Sequence, residues 1–383
     1  MRSIVDYIKN HGSSDLTSLP LNEVDSLILC QLSYLKFDKV LPPPDDNSPG
    51  VVLKDLSEHP DLDTLFEDKR YGKKNRALFE AAVSSDRFAK MRLGNYVSIT
   101  DPDYEVQFSA VTFLFENGLF YVAFRGTDET LIGWKEDCNM ALLSPIPSQE
   151  KAVAYLNRIG RITHGDFLIG GHSKGGNLAV YAASNCQPDI SERILSIYNH
   201  DGPGFPQGTL METEGYKKIR PRIRKYIPHS SLVGMLMESH EPYEVVECRK
   251  FGILQHDPYN WIVDKTAFKR AGSLYEHAVV QDDSINRWIC EMTPDERKVF
   301  VESLFDVLTA SGAKTLPDIM SDWRANSKAM KEAIENVDPT SREILQKILS
   351  NLFDILQEEM RLKVEERFKP GFGKRKDTQN IRS

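Results

Sequence analysis

The sequence predicts an α/β fold: a mostly parallel central sheet flanked by helices, with a C-terminal helical extension. Three observations predict it. Short apolar, strand-like runs alternate with helix-patterned segments between residues 95 and 284, the order that gives a parallel sheet covered on both faces. The run Phe167–Ile169 leads into Gly171-His172-Ser173-Lys174-Gly175, and Leu178-Ala179-Val180-Tyr181-Ala182-Ala183 then reads as a helix. From Ile285 to Phe368 the pattern changes to long amphipathic helices.

The elements follow in order. Apolar residues at 24, 27, 28, 32 and 35 lie on one helical face within Leu21–Leu35, and the loop Pro42–Gly50 ends it. Residues 51–94 are charged and read as helical in pieces; together with the first helix they form an N-terminal segment, 1–94, packing on the core. Tyr96–Ile99 is a short strand, and Gln107–Phe115 and Leu119–Phe124 are two more, joined by the hairpin signal Asn117-Gly118. A helix is expected over Ser148–Arg158, and strands over Ile194–Tyr198, Arg224–Ile227 and Tyr243–Glu247. Residues 95–284 form the core and 285–368 a helical cap or appendage. Ser341–Phe368 carries apolar residues at 344, 345, 348, 349, 352, 353, 355 and 356, and the Gly- and Lys/Arg-containing tail 369–383 is expected to be disordered.

Composition narrows the function. The 383 residues are 40% hydrophobic, enough for a full core, and the net charge of −8 argues against a general nucleic-acid partner. Five scattered cysteines without a CxxC pair signal neither a zinc site nor a disulfide framework, and no cofactor or metal is expected. The N-terminal residues lack a signal-peptide apolar core, and no uncharged apolar run reaches the roughly 18 residues of a span. A cytoplasmic protein is the expectation; peripheral membrane contact and oligomeric state stay open.

Strand, Gly-x-Ser-x-Gly, helix is the nucleophile elbow of the α/β-hydrolase fold. A β-carbon at Gly171 or Gly175 would collide with the neighbouring strand and helix, while the turn holds the Ser173 hydroxyl at the sheet edge. Serine is a poor nucleophile without a base, and the base needs an acid to hold its tautomer. His256, in the turn-rich loop Gly252–Trp261 after the last strand, is the candidate base, with His240 as the alternative. Asp201, in Asp201-Gly202-Pro203-Gly204 after a strand, is the candidate acid; Glu238, Glu241 and Asp257 compete, although Asp257 would point away from its neighbour. A developing oxyanion needs preorganised donors. The amide of Lys174 is one, and Gly126-Thr127, ending an apolar strand, supplies the other at Thr127, with Gly126 leaving room for substrate. Arg125 and Asp137 would pair to brace that loop. The Lys174 side chain reads as solvated, and Trp134 and Phe205 either wall a pocket or pack in the core.

These residues resemble a known family. Phe124-Arg125-Gly126-Thr127, Trp134-Lys135-Glu136-Asp137 and Gly171–Gly176 are similar to the paired signatures of class-3, fungal-type lipases, in which the residue at Thr127 supplies the oxyanion hole. The closer resemblance, over roughly residues 20–265, is to a bacterial family of lipase-like α/β-hydrolases of unknown function. It is carried by Leu32-Ser33-Tyr34, Gln107–Ala110, Gly171–Ala179, Asp201–Phe205, Ser231–Met235 and Gln255-His256-Asp257. One departure stands out: class-3 lipases carry the acid one strand later, where this chain has Ser230-Ser231-Leu232-Val233-Gly234, without an aspartate. The resemblance implies a serine hydrolase of carboxylic or lipid esters. A hydrolase-like scaffold that binds a lipid or protein partner without turnover is the alternative, and acyl transfer or thioester cleavage would use the same groups.

Overall fold

Eight strands form one sheet in the order of the chain: β1 (Val51–Val52), β2 (Arg92–Asp101), β3 (Val106–Leu114), β4 (Phe120–Phe124), β5 (Phe167–His172), β6 (Ile194–His200), β7 (Ile223–Pro228) and β8 (Tyr243–Val246). In this computed structural model, residues 2–45, 48–68, 71–128, 130–140, 143–231, 233–250, 252–274 and 293–310 are described, with shorter stretches between 312 and 342. β1 to β4 pair antiparallel and β4 to β8 parallel. The Asn117-Gly118 hairpin forms as its sequence demands, with Gly118 at φ 81° and Phe115 N–H donating to the Leu119 carbonyl at 3.0 Å.

Period-two alternation divides the strands between two cores. On β4, Tyr121 and Ala123 face α1 (Ile4–His11), α2 (Glu23–Leu32) and α3 (Gly72–Val83), while Val122 and Phe124 face α5 (Pro147–Ile162) and α6 (Lys174–Asn185). The N-terminal helices therefore cover one face, and the crossover helices the other.

α2 starts where its sequence says. Asn22 caps the amides of Val24 and Asp25, and the Asp25 carboxylate returns to the Asn22 amide at 3.0 Å. Asp25 also holds Arg87, its Nε at 2.7 Å, in an ion pair closed to solvent. Arg87 in turn donates to the carbonyls of Ser14 and Leu19, which ties the N-terminal segment down.

Two compact units are present, Met1–Ala333 and Ile334–Ser383. In the first, the helix Pro294–Thr309 packs on α4 (Leu131–Met140), and Leu131 N–H donates to the Lys314 carbonyl at 2.9 Å. In the second, Arg342 donates to the Glu335 and Val337 carbonyls. The helix expected over 341–368 and the tail 369–383 lie outside the described residues, apart from Arg342. No helix among the described residues is long and apolar enough to cross a membrane.

Candidate active site

The C-terminal ends of β4, β5 and β6 lead directly into Thr127, Ser173 and Asp201, and the loop after β8 carries His256. Between β5 and α6, Ser173 takes φ 59° and ψ −135°, a left-handed conformation costing a non-glycine residue about 1–3 kcal/mol. Its neighbours enforce it. A β-carbon on Gly171 would lie 2.1 Å from the Gly175 carbonyl carbon, and one on Gly175 would lie 2.1 Å from the Phe124 carbonyl oxygen. Only bare glycines let strand β4, strand β5 and helix α6 approach this closely. Ser173 N–H donates to the His200 carbonyl at 3.0 Å, which fixes the turn against β6.

Asp201 and His256 meet. Nδ1 of His256 lies 2.6 Å from Oδ2 of Asp201, whose side chain is 0% exposed against 21% for the histidine. Asp201 also has positive φ, 54°, and its amide donates to the Tyr226 carbonyl. Its second oxygen, Oδ1, accepts the Ser231 hydroxyl at 2.5 Å, and Ser231 Oγ accepts the Gly234 amide at 3.0 Å. The Ser230–Gly234 loop thus contributes a hydroxyl to the acid instead of the acid itself.

The His256 loop is held residue by residue. Asn260 donates to the Leu254 carbonyl, Trp261 Nε1 to the Gln255 carbonyl at 2.9 Å, and Lys74 pairs with Asp257 at 2.7 Å. His172, next to the serine, donates from Nε2 to the His256 carbonyl at 2.8 Å, and the two rings stand 4.5 Å apart. With Nδ1 taken by Asp201, Nε2 is the nitrogen of His256 left for chemistry. Among the described residues, no hydrogen bond joins it to the Ser173 hydroxyl.

The Thr127 loop corrects three expectations. Arg125 does not pair with Asp137; its guanidinium stands 3.7 Å from Asp128, and Asp137 instead accepts the Thr127 hydroxyl at 2.7 and 2.6 Å. Gly126 makes room for protein, not substrate: a β-carbon there would lie 2.3 Å from the Tyr34 hydroxyl and 2.6 Å from the His172 carbonyl oxygen. The Lys174 side chain is not solvated. It is fully buried, with Nζ donating to Gln107 O at 3.1 Å, Gln107 Oε1 at 3.0 Å and Glu136 Oε2 at 2.8 Å.

A family model described as Mbeg1-like matches residues 82–306. The chain belongs to the Mbeg1-like family. That family is lipase-like. No curated protein matches the chain significantly. A solved structure, the native Rhizomucor miehei lipase propeptide complex, is similar at 15% identity and a TM-score of 0.34, over 44% of this chain and 58% of that one. The chain thus spans a little over half the length of that neighbour.

Thr127, Ser173, Lys174, Asp201 and His256 all fall inside the Mbeg1-like span. The competitors have other partners. His240 pairs with Glu238 at 3.0 Å on an exposed surface, Glu241 accepts the Tyr216 hydroxyl at 2.6 Å, and Asp257 serves Lys74 and the Tyr259 amide. His229 meets Gln255 at 2.9 Å. His200 adjoins Asp201 in sequence but sits fully buried, its Nε2 2.8 Å from the Ser26 hydroxyl, and burial pushes it down to about 3. Phe205 is core, 1% exposed, whereas Trp134 is 37% exposed. Sequence reasoning assigned no site role to the Tyr34 and His172 side chains, Ser231, Gln107 or Glu136. All five lie in blocks that carry the family resemblance, Leu32–Tyr34, Gln107–Ala110, Trp134–Asp137, Gly171–Ala179 and Ser231–Met235, but nothing in those blocks gave their side chains a role.

Proposed function

We propose that this Mbeg1-like chain is a serine hydrolase of carboxylic esters, acyl or lipid esters in particular, on an α/β-hydrolase fold. The observation that carries the reading is the Asp201–His256 pair, whose loop is bonded to the residue preceding Ser173. In this reading Ser173 Oγ attacks the ester carbonyl and gives its proton to His256 Nε2. Asp201 accepts the Nδ1 proton's hydrogen bond and stabilises the imidazolium. The Thr127 and Lys174 amides hold the oxyanion, because the Thr127 hydroxyl is already committed to Asp137. The alcohol leaves with the proton from His256. Water then attacks the acyl-enzyme with His256 as base, releasing the acid and restoring the serine. No metal or cofactor enters these steps. Cytoplasmic residence and peripheral contact with a lipid surface belong to the same proposal.

A second reading, a hydrolase-like scaffold that binds a lipid or protein partner without turnover, draws on the missing Ser173–His256 hydrogen bond. Free active sites commonly hold such contacts long until substrate binds. Turnover of short and long acyl esters, with Ser173→Ala as control, separates the two. Ser173-dependent turnover supports the hydrolase; none, with intact folding, supports the scaffold.

A further inference from the structure

The Lys174 side chain takes no part in the mechanism above, yet it is fully buried on the residue that follows the proposed nucleophile. All three protons of its ammonium are engaged, by Gln107 O, Gln107 Oε1 and Glu136 Oε2. It therefore has no capacity to act as a base toward Ser173. What it does is join segments. Glu136 Oε2 also accepts the Gln107 amide at 3.0 Å, and Glu136 Oε1 accepts the Ser148 amide at 3.0 Å, so this carboxylate ties β3 and the start of α5 to α4. One residue on, Asp137 lies 3.6 Å from the same ammonium and holds the Thr127 hydroxyl. The Thr127 methyl rests on α4 as well, since a β-carbon on Gly133 would lie 2.8 Å from it.

Charge makes the link directional. Burial raises the Asp137 carboxyl above its ordinary range, neighbouring Glu136 raises it further, and the Lys174 charge is the largest opposing influence. Without that cation, the buried Glu136 and the partly exposed Asp137 carboxylates repel, and Asp137 loses its hold as an ionised acceptor for Thr127.

We infer that the Lys174 ammonium is a positioning residue. Through Glu136 and Asp137 it sets the Thr127 loop against the Ser173 turn, so that the amides of Thr127 and Lys174 converge on one oxygen. The inference rests on the serine-hydrolase reading. Two amides on separate elements must keep one geometry, and a misplacement of about 1 Å costs on the order of 100-fold in rate.

Full-length Lys174→Met and Lys174→Met/Glu136→Met, compared with wild type, test this. The double variant removes the two buried charges together, so no unpaired carboxylate remains at 136, although the Gln107 and Ser148 amides lose their acceptor; Asp137 stays without its cation. In the single variant kcat for a p-nitrophenyl ester should fall about 100-fold with KM within about twofold. Amide exchange over residues 126–140 should quicken while that over 176–185 stays unchanged. In the double variant the melting temperature should rise part of the way back and kcat should not. Recovery of kcat together with stability would reduce Lys174 to a structural pair and overturn the inference; so would unchanged kcat and exchange in the single variant. If wild type shows no turnover, the hydrolase reading fails on its own. The exchange over 126–140 then still decides whether Lys174 holds the Thr127 loop.

Discussion

His256 Nδ1 stands 2.6 Å from Asp201 Oδ2, although 55 residues separate them in sequence. Neither partner is free to drift. Asp201 is pinned by its own backbone turn, by Ser231 and by the Tyr226 carbonyl, and His256 by His172 and the loop bonds at 254 to 257. A buried carboxylate facing one ring nitrogen selects the tautomer that leaves the other nitrogen as acceptor.

Replacing Asp201 with Asn keeps the shape and removes the charge. Ester kcat should fall about 10³- to 10⁴-fold with the melting temperature little changed. Ser231→Ala, which strips one of two partners from the carboxylate, should cost on the order of 10-fold. Steady-state kinetics of both variants check this, and an Asp201→Asn enzyme with wild-type kcat would remove Asp201 from the mechanism.

His200 should make the fold acid-sensitive. Its ordinary value of 6.5 falls to about 3 in the folded chain because it is buried. Below pH 6.5 the unfolded chain takes up a proton that the folded chain refuses, so the stability held above that pH is lost as pH falls toward 3. Between pH 7 and 5 this amounts to about 2 kcal/mol. His200→Gln, which keeps a donor and acceptor for Ser26, should lose that much of the pH dependence in urea unfolding. An identical pH slope in wild type and variant would show that His200 does not titrate this way.

The ion pair of Asp25 and Arg87 lies far in sequence from the candidate site and is shut off from water. Asp25→Ala leaves an uncompensated buried guanidinium and should cost about 3–5 kcal/mol. Denaturant midpoints measure it. The folded fraction should retain its kcat, because the pair anchors the N-terminal helices and touches no proposed catalytic group.

Gly175→Ala forces a β-carbon to within 2.1 Å of the Phe124 carbonyl oxygen, a backbone atom with nowhere to go. A destabilisation of about 3 kcal/mol is expected. Gly118→Ala, where a β-carbon meets open space, is the control for a glycine at positive φ without the collision. Thermal melts of the two variants separate crowding from backbone strain.

The strands from β3 on were readable because each is a short apolar run bounded by turn residues; β1 lies in a stretch expected to be helical, and β2 begins four residues before its expected start. Phe120–Phe124, Phe167–His172 and Ile194–His200 lie within one to three residues of their expected limits. Helix α4 was not foreseen. Its inward positions include Glu136 and Gly133 beside Leu131 and Met140, so no apolar stripe marks it. The same cause hid the Lys174 cluster. Lysine is ordinarily solvated, and its carboxylate partners lie 37 and 38 residues earlier in the sequence, where nothing local announces the pairing. Ser173 was legible for the opposite reason: its glycines act on immediate neighbours. The Asp201–His256 pair was a choice among several candidates that only the folded loops narrow, and the bond of Ser231 to Asp201 became visible only with them.

The most direct measurement of the central claim is covalent labelling of the full chain by a fluorophosphonate, read by intact mass and peptide mapping. The account predicts a single adduct on Ser173, absent in Ser173→Ala and formed at least about 10³-fold more slowly in His256→Ala. No adduct on a folded wild-type chain, or labelling that persists in Ser173→Ala, would contradict it.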